Sequence, residues 1–293
     1  MKWEGREESG NVEDRRSMAT TAGVAIGGGS IVLLLVAMLF GVDPQKLGSM
    51  LGQPAPGQQQ PGADQDGNAK RPVDPAEERL ASFTKVIFRD TEVVWDRLFQ
   101  EMGKTYRKPT LVLFTGMVNS ACGSADSAVG PFYCPGDSKV YIDLTFYKDM
   151  ERQLNAPGEF ARAYVVAHEV GHHVQRLLGY SARVDEARRS LPKAEYNKMS
   201  VRLELQADYL AGVWAHHGQQ QFNFLEEGDV ESALKAAFEI GDDRLQKKSR
   251  GTVVPDSFTH GTSQQRMRWF KRGLETGSVQ KARALFDLPY DDL

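Results

Sequence analysis

The chain has 293 residues, 41% of them hydrophobic, enough to bury a full core in one large domain or two small ones. A net charge of −3 gives no electrostatic reason to expect a nucleic-acid partner. The two cysteines, Cys122 and Cys134, exclude a disulfide-dense scaffold and a cysteine-built zinc site but permit one bridge.

Residues 1–22 read as a short cytoplasmic tail. Gly23 to Val42 then carries no charge, and twenty such residues in a helix span about 30 Å, the thickness of a bilayer's hydrocarbon core. No small-residue cleavage site follows in Phe40-Gly41-Val42-Asp43-Pro44, so the run reads as an uncleaved transmembrane signal anchor rather than a signal peptide. Arg15 and Arg16 precede the run, whereas Lys46 is the sole basic residue close behind it. That asymmetry places the N-terminus in the cytoplasm and the rest on the periplasmic or extracellular side. An oxidising compartment fits a Cys122–Cys134 disulfide. Residues 43–75 read as a disordered linker, since Gly52 to Pro75 is rich in Gln, Pro, Gly, Asp and Ala and nearly empty of large apolar side chains.

Residues 76–293 read as one folded domain. Asp74-Pro75-Ala76-Glu77 starts a helix whose apolar spacing runs from Leu80 to about Met102. Leu111 to Phe114 is a short strand. Phe132-Tyr133-Cys134 and Val140 to Asp143 are two strands joined by a Pro-Gly-Asp turn, and Pro131 and Pro135 put the first at a sheet edge. Further helices are expected from Pro157 to Gly179, from Lys193 to His217, from Val230 to Leu245 with Asp229 as cap, and after a capping box at Thr262 to Gln265. Residues 183–192 form a polar stretch without an assigned element. The sum is a mostly helical α+β domain with a small sheet.

Within the helix after Pro157 stands His168-Glu169-Val170-Gly171-His172. Histidines four apart lie one turn apart on the same face, so both rings can reach one metal ion, with Glu169 beside them as a base. A metzincin pattern needs glycine at 175 and histidine at 178, where this chain has Gln175 and Leu178. The third ligand is instead expected from the next helix. Glu204 and Asp208 stand one turn apart among Leu203, Leu205, Ala207 and Leu210, where two carboxylates are costly to bury without a cation or donors. Glu204 on zinc and Asp208 on the far nitrogen of His168 satisfy both. Arg266 supports the site or pairs with a carboxylate. His173 points about 100° away from the metal face, and His216-His217 read as a helix C-terminus, where cationic side chains suit the dipole, so all three are left out of the site.

Taken together, Asn11 to Arg16, Gly41 to Pro44, Ser120 to Gly123, Ser127 to Tyr147, Ala167 to Gln175, Arg202 to Trp214 and His260 to Arg266 closely resemble the bacterial family of membrane-anchored neutral zinc metallopeptidases. The family often has cysteine where this chain has Tyr209. The same region is similar to the thermolysin-like gluzincins. That resemblance implies a peptide substrate adding as a strand along Phe132-Tyr133-Cys134, and a late side chain, His260, donating to the oxyanion. The expectation is an endopeptidase using one zinc ion, with water activated on the metal and Glu169 as general base. Two rivals remain: a zinc-stabilised scaffold that binds envelope proteins without cutting them, and a peptidoglycan peptide hydrolase.

Overall fold

The computed structural model describes residues 1–16, 74–126, 129–152 and 156–293. The expected anchor at 23–42 and nearly all of the expected linker lie outside these. Among the described residues, no helix is long and apolar enough to cross a membrane.

Chain order begins with strand β1 (Val12–Asp14), then helix α1 (Pro75–Glu101) and strands β2 (Thr110–Phe114), β3 (Met117–Ser120), β4 (Gly123–Asp126), β5 (Phe132–Cys134) and β6 (Lys139–Asp143). Helices α2 (Thr145–Arg152), α3 (Glu159–Leu177), α4 (Tyr180–Ser190), α5 (Lys193–Phe222), α6 (Asp229–Glu239), α7 (Asp242–Arg250), α8 (Ser263–Thr276) and α9 (Ala284–Asp287) follow. The result is mostly helical with a four-stranded sheet ordered β1-β2-β6-β5 and a separate β3-β4 hairpin. Strand β5 is antiparallel to β6 and lies at the edge, as its flanking prolines predict, while the other pairings are parallel.

Several boundaries differ from the sequence reading, each for a local reason. Residues 183–192 are largely helical, because α4 buries Val184 and Ala187 one turn apart. The helix expected from Val230 to Leu245 breaks at Gly241, where an added Cβ would stand 2.4 Å from the Ser263 nitrogen. Its cap is Gly228, not Asp229. Helix α5 runs on past His217 to Phe222. There His216 and His217 hydrogen-bond the Leu274 and Gly277 carbonyls, covering the C-terminal end of α8 rather than their own helix. The segment expected as a tail supplies β1, whose Val-Glu-Asp sequence holds too few apolar residues to show an alternating pattern. Its residues pair in register with Leu111, Val112 and Leu113, so residues 1–16 belong to the folded body.

Helices α5 and α8 touch backbone to backbone. A Cβ on Gly273 would lie 2.0 Å from the Tyr209 carbonyl oxygen, and one on Gly212 would lie 2.1 Å from that of Phe270. Main chain cannot swing aside as a side-chain tip can, so Gly273→Ala forces the helices apart. The expected cost is about 3 kcal/mol or more. Thermal unfolding should then fall by roughly 6–12 °C. Gly10, with nothing within 4 Å of an added Cβ, is the control and should tolerate alanine.

Candidate metal centre

Three helices build the site. Helix α3 is buried along most of its length and presents His168, Glu169 and His172 to a cleft of about 570 Å³. Gly171 sets how closely α5 approaches, because an added Cβ there would meet the Ala207 carbonyl oxygen at 3.0 Å. That contact brings Glu204, one turn before Asp208, against the two histidines.

His168 Nε2 lies 3.3 Å from one Glu204 oxygen, and His172 Nε2 lies 3.5 Å from the other. Ligand atoms at tetrahedral zinc distances stand roughly 3.3–3.6 Å apart, so the donor set fits zinc in kind and spacing. Among the described residues, His168, His172 and Glu204 form the group able to hold a metal, their ligand atoms all within 4.8 Å of one another.

The outer nitrogens are fixed as well. His168 Nδ1 donates to Asp208 Oδ1 at 2.8 Å, and His172 Nδ1 donates to Gln175 Oε1 at 2.9 Å. Both Nε2 lone pairs then face a carboxylate, a repulsive arrangement unless protons or a cation intervene. Gln175 is fully buried and donates in turn to the Leu203 carbonyl and to Gln206. One of the two residues that rule out the metzincin pattern therefore holds His172 in place.

Asp208, also fully buried, accepts a forked pair of bonds from Arg266 at 2.8 and 2.9 Å and another from the Tyr164 hydroxyl. Arg266 comes from α8 and is 3% exposed. Both carboxylate oxygens that burial strips of water thus meet donors. Tyr164 went unmarked in the sequence reading, although it sits one turn before His168 on the same helix face.

His260 lines the same cleft. Its Nδ1 faces Asp242 Oδ1 at 3.1 Å, and the other Asp242 oxygen accepts the main-chain N–H groups of Thr259, His260 and Gly261. Asp242 is fully buried and organises this turn. The sequence reading gave no hint of it, because position 242 falls inside the helix expected from Val230 to Leu245.

Phe132 and Tyr133 of β5 form part of the cleft wall, and the Tyr133 main-chain N–H meets the Glu169 carboxylate. Cys122 and Cys134 are disulfide-bonded, joining the β3-β4 turn to the edge strand. His173 stays outside the metal cluster. It donates from Nε2 to the Arg107 carbonyl and accepts from the Tyr133 hydroxyl, which pins β5 to α3. Burial pulls its pKa down to about 4, so it is neutral.

Burial alone would lower the pKa of His168, but the Asp208 and Glu204 carboxylates push it up to about 10. His172 rises through Glu204 against the same burial. Burial would raise Glu204, yet the two histidines hold it well below the usual carboxylate range. Asp208, likewise opposed by burial, is held at about 2 by Arg266 and His168. Burial wins at Glu169, whose pKa rises despite both histidines.

A divalent ion entering this group must displace imidazole protons, so affinity should fall as pH drops. Titrating the metal-free chain with zinc at pH 7, in buffers of different ionisation enthalpy, should show release on the order of one to two protons per ion. Binding without proton release would contradict this reading of the charges.

A family model described as "Putative neutral zinc metallopeptidase" matches residues 1–285. The chain is 51% identical over 289 residues to the uncharacterised protein YpfJ of Escherichia coli K12, covering 94% of this chain and 96% of that one. It is 40% identical over 192 residues to the uncharacterised protein Rv2575 of Mycobacterium tuberculosis H37Rv, covering 62% and 64% of the two chains. No solved structure gives a significant match.

Proposed function

Because the chain belongs to this neutral zinc metallopeptidase family, we propose that it is a zinc-dependent endopeptidase whose general base is Glu169. One observation carries the reading. Glu204 reaches the metal-facing nitrogens of His168 and His172 while their other nitrogens are held by Asp208 and Gln175.

His168, His172 and Glu204 would hold the ion. When bound, zinc supplies a Lewis acid and a water that ionises near neutrality. Glu169, its pKa raised by burial, takes the proton of the attacking water and returns it to the leaving amine. Asp242 aims the His260 ring at the cleft, where its free nitrogen donates to the oxygen that gains charge. An extended peptide adds its main chain to the open edge of β5, which brings it past Glu169.

A non-cutting scaffold needs no carboxylate at position 169, whereas Glu169 lines the cleft beside the two histidines. We place the domain in an oxidising compartment outside the cytoplasm, a reading supported by the Cys122–Cys134 bridge.

The test is cleavage of an unfolded generic protein by the purified chain. Cleavage should stop on chelation and return with stoichiometric zinc. A zinc-loaded, folded chain that cuts neither such proteins nor murein peptides would overturn the proposal.

A further inference from the structure

We propose that residues 1–16 and the peptidase domain lie on the same side of any membrane. This rests on packing, not on the zinc chemistry. Strand β1 pairs in parallel with β2, with Leu111 donating to the Asn11 carbonyl at 2.9 Å and Arg15 donating to that of Leu113 at 2.7 Å.

The rest of the segment is fastened along α1 and beyond. Trp3 is buried edge-on against Phe83 and donates to Glu159. Arg6 pairs with Asp90 and lies over the Phe222 ring at 4.2 Å. Ser9 and Asn11 donate to Glu92, which is 1% exposed. A carboxylate this deep needs such donors, and the segment supplies most of them. Glu13 ion-pairs with Lys139 on β6.

The two ends of the intervening chain also meet. Arg16 reaches Glu78 on the first turn of α1 at 2.9 Å. The chain therefore leaves and returns at one place.

These contacts cannot form across a bilayer. Exchange of the segment between two copies would not alter this, because the exchanged strand still needs β2 in its own compartment. Charge asymmetry around residues 23–42 favours a single crossing with the N-terminus opposite the domain. The packing forbids it.

The test uses the full chain carrying one added cysteine, either Gly10→Cys in the segment or Lys271→Cys on α8, both at exposed positions. The native cysteines are bonded to each other, and the unaltered chain is the blank. A membrane-impermeant maleimide is applied to intact spheroplasts and again after lysis. The two positions should show the same ratio of labelling before and after lysis, whichever side that reveals. Recovery of the chain in the soluble fraction supports the proposal equally. Labelling of one position in intact spheroplasts, with the other protected until lysis, would overturn it.

Discussion

Replacing Glu169 by glutamine is expected to lower peptide hydrolysis by about 10³-fold or more while leaving fold and zinc content unchanged. Glutamine keeps the size of the side chain and an acceptor for the Tyr133 N–H, so the cleft wall stays in place. What it removes is the ability to take up and give back a proton. Because burial raises the pKa of Glu169, the wild-type rate should fall as pH drops through a value above the ordinary glutamate range. The variant should show no such limb. Matching activity in a zinc-loaded variant would assign the base elsewhere.

Glu204→Ala should abolish stoichiometric zinc binding, with an affinity loss greater than about 100-fold, and activity should fall with it. Two imidazoles alone leave a half-built site. The variant should nevertheless fold, since Glu204 pairs with the two metal-facing histidines rather than with groups that hold the helices together. Asp208→Asn is an instructive contrast. It weakens zinc by about 10–100-fold through His168, but it also leaves the buried Arg266 without a counter-charge and so lowers stability. Metal analysis after dialysis, beside thermal unfolding, separates the two effects. Full zinc retention by Glu204→Ala would dismantle the proposed ligand set.

The histidine pair, Glu204 and Asp208 were legible because helical spacing puts each pair on one face of its own helix, and because two carboxylates in an apolar helix demand partners. The edge position of β5 was legible from its prolines. The remaining groups depend on contacts far apart in sequence. Tyr164 looks like any buried aromatic until Arg266 arrives from α8. Gln175 reads as a failed motif position until it is seen bridging His172 to the Leu203 carbonyl. Asp242 acquires its role only when the loop before α8 folds over it. Strand β1 is the extreme case, because its partner lies about a hundred positions away and its own three residues show no strand-like alternation.

The meeting of Arg16 with the first turn of α1 bears on how the folded unit is best produced. A shortened version starting at position 74 would leave one flank of the sheet unzipped and Glu92 stranded without its serine and asparagine donors. Excising residues 17–73 and closing the gap with a brief glycine–serine bridge keeps both halves and discards the greasy stretch. The fold itself marks where to cut.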